Sequence, residues 1–479
     1  MTINQEGRDI IVPKMTNVTK KPLLVMSAGP IMGHTAPTLH IAREMINRGF
    51  EVIFMTAPDL RENVEKIGAE YYETSPFWPE GTLEEREKYP AGMPRMMYDM
   101  EWIFMASIPS RVASLRSLLE MVRERDPSRD VVIVAETVTM GVLPFKYGAP
   151  LPKGYTEFPK VISINVVPLV VSSIDVGPFG PGLPPDSTKS GRARNQLLYQ
   201  LMHGNGPFAT LNNIFHETLR KVACTSVPTD FMFDAWVTSF DTLFQLCSPS
   251  LEYPRSDLHP SIRYAGALPK RGIDPKFSYP SWWPELQANA KLPTESPDRK
   301  KIIPIAQGTV ATNYNELIIP AIKAFAKRSD VLLIVILGVK GATLPSDLDI
   351  PSNVRVVDYL PYDAALEYGD VFVSNGGYGG MMHGVINGIP MIVAGMSEDK
   401  VEVSARAEYA GFAVNLKTQT PSSEQIYEAA EKIFNDTSYK RAAVRLMGEN
   451  EDLDSLSIIE KQIMRYARKN STEICAYAA

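Results

Sequence analysis

Short, unbroken apolar runs punctuate the chain, each followed by a glycine- or proline-bearing turn and a segment of helical periodicity. Leu23 to Ala28 is the first such run, and Gly29-Pro-Ile-Met-Gly-His-Thr-Ala-Pro37 is its turn. Leu39, Ile41, Ala42, Met45 and Ile46 then recur at helical spacing, and Arg48-Gly49 closes that helix before the next run, Val52 to Thr56. Val131 to Ala135, Val161 to Val167 and Leu243 to Cys247 continue the series. Runs that do not alternate with polar residues belong to strands buried on both faces, which is the condition of a parallel sheet. A proline- and charge-rich stretch, 248–301, interrupts the pattern, with Ile262 to Leu268 as one short strand inside it. A second series comes after it: Ile302 to Ala306, a helix over 314–328, then Val331 to Leu337, Val354 to Val357, Val371 to Val373 and Met391 to Ala394. The pattern predicts an α/β protein of two Rossmann-like, doubly wound domains facing a cleft. The predicted units are 1–268, a linker 269–301, a second domain 302–455 and a terminal helix 456–479 that folds back on the first domain.

Two stretches break the rhythm. Residues 76–107 crowd methionines and aromatics, among them Phe77, Trp78, Met93, Met97 and Trp102, between prolines and glycines. Such surfaces adapt to irregular apolar partners, so they fit either a small-molecule pocket or ordinary core. The proline- and glycine-rich loop 168–185 falls at the carboxyl end of a predicted strand, where loops shape ligand sites.

Composition narrows the class. The chain has 479 residues, 44% hydrophobic and 22% charged, with a net charge of −6. A mildly acidic balance gives no footprint for nucleic acid. Cys224, Cys247 and Cys475 are too few and too scattered for a disulfide framework or a zinc site, and fit a reducing compartment. No apolar leader opens the sequence and no run has the length of a membrane span, so a cytoplasmic protein is the expectation.

The chemistry concentrates at predicted strand ends. Asp370-Val-Phe-Val-Ser-Asn-Gly-Gly-Tyr-Gly-Gly380 places four glycines within five positions between a strand and a helix. That layout offers bare backbone N–H groups to a phosphate, although glycines there also serve tight helix–strand packing. The next strand runs into Ser397-Glu-Asp-Lys400, a cluster able to bond vicinal sugar hydroxyls. In the first half, His34 stands at a helix N-terminus, whose positive dipole end is expected to keep the ring neutral. Glu136 ends another strand; it could orient His34 or simply cap the next helix. The dinucleotide fingerprint is missing after the first strand, which disfavours a nicotinamide dehydrogenase.

These motifs resemble the nucleotide-sugar-dependent glycosyltransferases of the GT-B fold, of the fungal and bacterial small-molecule type related to plant and macrolide UDP-glycosyltransferases. The resemblance is carried by Gly29 to Pro37, Gln307-Gly-Thr309, Val357-Asp-Tyr-Leu-Pro361, Ser374 to Gly380 and Glu398-Asp-Lys400. It implies a transferase that inverts the anomeric centre of a UDP-sugar, glucose first, using a hydrophobic hydroxylated acceptor such as a phenolic or polyketide. His34 would be the base and Glu136 its orienting carboxylate. Gly308, Thr309, Tyr359, Asn375, Gly377, Tyr378, Gly379, Gly380, His383, Asp399 and Lys400 would bind the donor, and Phe77, Trp78, Met93, Met97 and Trp102 the acceptor. It implies no metal and no cofactor beyond the co-substrate. Asn375 stands where relatives carry a histidine, His383 where they carry the ribose-binding glutamate, and Lys400 where glutamine is usual. Lys400 is then expected to return some of the positive charge lost at Asn375. Two other readings share the features: a nucleotide-sugar epimerase, and a non-catalytic metabolite-binding protein.

Overall fold

The structure, a computed structural model, describes residues 20–76, 78–90, 92–204, 206–271, 275–308 and 311–476. The first sheet is built from β1 (Leu23–Ser27), β2 (Val52–Thr56), β3 (Glu70–Glu73), β4 (Val131–Glu136), β5 (Lys160–Asn165), β6 (Thr242–Gln245) and β7 (Ile262–Tyr264). Its order is β3-β2-β1-β4-β5-β6-β7, parallel throughout. The second contains β8 (Lys301–Ala306), β9 (Val331–Ile336), β10 (Val354–Val357), β11 (Phe372–Ser374), β12 (Met391–Val393) and β13 (Ala413–Asn415). Its order, β10-β9-β8-β11-β12-β13, repeats the same winding.

The buried strands are largely apolar because each sheet is covered twice. Leu23, Val25, Ile53, Met55, Val131 and Ile133 pack on one face against helix Ile108–Arg125 and helix Pro207–Lys221. Their neighbours Leu24, Met26, Val52, Phe54, Val132 and Val134 point the other way, to helix Met32–Asn47 and the C-terminal helix Ser455–Ala476. The second sheet divides likewise, with Ile303, Ile305, Leu333 and Val335 on one face and Ile302, Leu332, Ile334 and Ile336 on the other. Alternation between two cores is the physical content of the unbroken runs.

The C-terminal helix crosses back as expected. Leu456, Ile459, Ile463 and Tyr466 join the first domain's core, and Tyr466 Oη meets Thr242 Oγ1 at 2.6 Å. Glu460 pairs with Arg48 at 2.6 Å. Several bounds move. The helix read over 314–328 is confined to Ile318–Phe325, the strand read to Val167 stops at Asn165, and β7 joins the first sheet as its edge. β3, with sequence EYYE, has no apolar run to announce it, because it lies at the sheet's edge with its side chains half-buried or exposed.

Candidate active site

Both sheets reverse their winding between the first strand and the fourth of their own series, at β1/β4 and at β8/β11. Crevices at such switch points, outside the carboxyl ends of the strands, are where open α/β sheets bind ligands. His34 and Glu136 occupy the first of those places, and Gly308 with Asn375 to Gly377 the second.

At the first, β1 runs into a turn pinned by Thr35, whose hydroxyl donates to Gly29 O at 2.8 Å. His34 lies in the first turn of helix Met32–Asn47, and Glu136 is the last residue of β4. Nδ1 of His34 and Oε1 of Glu136 are 3.0 Å apart. The His34 side chain is 17% exposed, whereas Glu136 is fully buried. Glu136 also accepts from Gly29 N at 3.2 Å and Val138 N at 3.3 Å. It therefore both orients the histidine and caps the short 3-10 turn Thr137–Thr139. A carboxylate engaged only as acceptor requires the proton on Nδ1, which leaves Nε2 for exchange with a substrate.

The titration of His34 departs from the helix-dipole expectation. Burial depresses its pKa, but the charge and hydrogen bond of Glu136, with a further contribution from Asp399, carry it above 6.5. A carboxylate in direct contact outweighs a partial charge at a helix end. The contribution from Asp399 brings a carboxylate of the second domain within electrostatic reach of the first domain's histidine.

At the second switch point, Gly308 lies just beyond β8, and Asn375 to Gly377 just beyond β11. Helix Tyr378–Ile386 begins after Gly377 with no side-chain cap, so its first N–H groups are free to meet an anion. Asn375 does not present its amide there: Nδ2 donates to Gln307 O at 2.5 Å, lacing the two turns together. A Cβ on Gly379 would meet nothing within 4 Å, whereas one on Gly380 would stand 2.9 Å from Ser374 Oγ. Tyr378 turns inward; its ring is buried and its hydroxyl accepts from Gln245 Nε2 of the first domain at 2.8 Å. That side chain serves the domain seam.

Tyr359 lies 41% exposed, an open aromatic ring with Lys340 Nζ 5.4 Å from its centroid. His383 Nδ1 pairs with Asp363 Oδ1 at 2.7 Å, and Asn387 Nδ2 donates to the same oxygen at 2.9 Å. Burial would raise the Asp363 carboxyl, but His383 and Asn387 hold it below its ordinary value. Asp399 precedes helix Lys400–Tyr409; burial, against the pull of Lys400, pushes its pKa up, and Glu398 adds to the rise. Lys400 Nζ is bonded to Ser397 Oγ at 3.1 Å and to Glu398, so its charge is already answered within the loop. The expectation that it replaces a missing positive charge at Asn375 does not fit that pairing.

Trp78, Met93 and Met97 are half-buried against the first core, and the Met93 Cε lies 3.5 Å from where a Cβ on Gly180 would stand. Gly180 N and Gly182 N donate to Glu402 Oε1 of the second domain, at 2.7 and 2.8 Å. Met93 is thereby beside the cleft. Trp102, 52% exposed, lines a separate surface hollow with Pro76, Pro79 and Ser110. Phe77 and Thr309 lie outside the described residues. Sequence reasoning missed Arg86, Gln245, Glu252 and Arg406, which bind the halves together; their partners are too far along the chain for any local signal. Among the described residues no group of three His, Cys, Asp or Glu side chains is placed to hold a metal ion, and no helix is long and apolar enough to cross a membrane.

The model of the erythromycin biosynthesis protein CIII-like C-terminal domain matches residues 325–455. UDP-glucosyltransferase 1 of Beauveria bassiana (strain ARSEF 2860) is 38% identical over 448 residues, covering 93% of this chain and 95% of the relative. UDP-glucosyltransferase B1 of Starmerella bombicola is 33% identical over 464 residues, covering 94% and 99%. Among solved structures, the glycosyltransferase of kitacinnamycin superposes with a TM-score of 0.69 at 18% identity, over 93% of this chain and 99% of that one. That likeness shows the two-domain GT-B fold, and the two glucosyltransferases show the family. The chain belongs to the UDP-glycosyltransferases, enzymes that move a sugar from a UDP-sugar to an acceptor.

Proposed function

We propose that the protein transfers the sugar of a UDP-sugar, glucose first among the candidates, to a hydroxyl of a hydrophobic small molecule, with inversion at the anomeric carbon. The observation that carries this reading is the His34–Glu136 pair, 3.0 Å apart at one switch point and within electrostatic reach of Asp399 of the other domain. His34 Nε2 takes the acceptor hydroxyl's proton as its oxygen bonds to the anomeric carbon. The bond from that carbon to the diphosphate oxygen breaks from the opposite side, and UDP departs with the electron pair. Glu136 stabilises the imidazolium that results. The free N–H groups at the start of helix Tyr378–Ile386 receive the charge developing on the diphosphate, the role a bound cation fills elsewhere. The half-buried Met93, beside the cleft at Gly180, supports an apolar acceptor such as a phenolic or polyketide.

The test is His34→Ala, assayed with UDP-glucose against a panel of phenolic and alicyclic acceptors by mass spectrometry. General-base catalysis contributes roughly 100- to 10,000-fold, so turnover should fall by about that factor while UDP affinity stays unchanged. Near-normal turnover in the variant would end the assignment. Exhaustive treatment with EDTA should leave the wild-type rate intact; a lost rate restored by one divalent cation would overturn the role given to the helix end.

A further inference from the structure

A chain of charges joins the acceptor side of the cleft to the loop that carries Asp399. Arg86 ends helix Thr82–Arg86, and its side chain is 11% exposed. Its Nε and one terminal nitrogen donate to the two oxygens of Asp99, at 2.8 and 3.0 Å. Asp99 opens the π-helical segment Asp99–Met105 and is itself buried. The same terminal nitrogen reaches across the cleft to Glu398 Oε1, 3.1 Å away and 312 positions on. The other Glu398 oxygen is bonded to Lys400 Nζ.

Glu398 is one of the few non-glycine residues in left-handed backbone, with φ of 49°. That conformation persists only where the surroundings over-determine it, and here two cations grip one carboxylate. Burial would raise the Glu398 carboxyl, but Lys400 and Arg86 hold it down to about 2. Asp399 lies in sequence between Glu398 and Lys400, the two residues joined in that bridge. The Glu252–Arg406–Glu402 network elsewhere on the seam differs in being fully enclosed, with side chains at most 5% exposed. Glu398 is 41% exposed. The first is a fixed joint, and the second a bridge at the rim.

We propose that Arg86 is a positioning residue for the donor sugar: by holding the Glu398 carboxylate it fixes Asp399 within electrostatic reach of His34, so the segment that walls the acceptor side sets the sugar-binding loop. This rests on the reading of Asp399 as a sugar contact. The bridge separates the sugar from the nucleotide, because Tyr359, Gly308 and helix Tyr378–Ile386 have no part in it.

The experiment compares UDP with UDP-glucose by calorimetry, and measures kcat and KM, in wild type, Arg86→Ala, Arg86→Lys, Glu398→Gln and the Arg86→Ala/Glu398→Gln double variant. UDP affinity should be unchanged in all. Affinity for UDP-glucose relative to UDP, and kcat/KM for UDP-glucose, should drop about tenfold or more in Arg86→Ala and in Glu398→Gln, the scale of one lost charge-assisted hydrogen bond. Arg86→Lys should recover part of the loss, and the double variant should be no worse than the weaker single, as for partners in one interaction. Glu398→Gln keeps the Arg86–Asp99 pair, so it reads the bridge even if Arg86→Ala fails to fold. Wild-type kcat/KM in Glu398→Gln, additive losses, or equal losses of UDP and UDP-glucose binding would each overturn the proposal. His34→Ala in parallel separates the two ideas: continued transfer there defeats the base assignment, while the calorimetric comparison still judges Arg86.

Discussion

His34 and Glu136 are separated by 102 positions, and each is legible alone as a polar residue at a strand end. What the chain could not disclose is their 3.0 Å contact, which reverses the expected titration of the histidine. With a pKa above 6.5, the ring must lose a proton before it can serve as a base. The expected kcat/KM profile therefore rises with pH through a midpoint above 6.5, and Glu136→Gln should move that midpoint down while slowing turnover; a limb that stays in place would detach Glu136 from the chemistry. The sign for stability is the opposite. A histidine whose pKa is raised on folding stabilises fully below its unfolded value and loses that contribution as pH rises through the folded one. The Tm difference between wild type and His34→Ala should accordingly shrink toward alkaline pH. Asn375, Tyr378 and Lys400 show the other limit of a sequence. Their side-chain types fit a donor site, yet Gln307, Gln245 and Glu398 claim their polar atoms.

Among the elements, the buried strands were readable because apolar pressure from both sides leaves few polar positions to confuse the run. Edges were not. β3 has only two half-buried tyrosines, Tyr71 and Tyr72, one toward each core, and no apolar run to mark it. The π-helical segments Asp99–Met105 and Gln200–Gly204 have no sequence signature, since one residue added to a turn leaves the composition unchanged. The glycine turn separates into two kinds of glycine. Gly376 has φ of 77°, and a Cβ there would stand 2.4 Å from Ser404 Oγ, so Gly376→Ala should cost about 1–3 kcal/mol and lower Tm visibly. Gly379 faces open space, and Gly379→Ala should leave Tm unchanged while weakening UDP binding. Equal effects of the two substitutions on Tm would refute the distinction.

At the scale of the whole molecule, the halves meet through polar groups withdrawn from water. Arg406 donates to Glu252 at 2.9 Å and to Glu402 at 2.7 Å, and its guanidinium lies 4.4 Å from the Tyr253 ring centroid. Removing one partner of such a network leaves buried charge without compensation, which costs about 3–5 kcal/mol. Arg406→Ala should thus destabilise far more than a surface change, measured by chemical denaturation; a loss under about 1 kcal/mol would mean that water enters the seam.

The return of the chain has a mechanical outcome. Ala267 N donates to Asn450 Oδ1 at 2.8 Å, and Ser455 Oγ donates to Ala267 O at 2.9 Å. The outgoing and returning crossings between domains are thereby stitched side by side, forming one pivot pinned by two passes of the same thread. A protease that cut the linker would release nothing: the severed halves should travel as one body through a sizing column, and part only in denaturant.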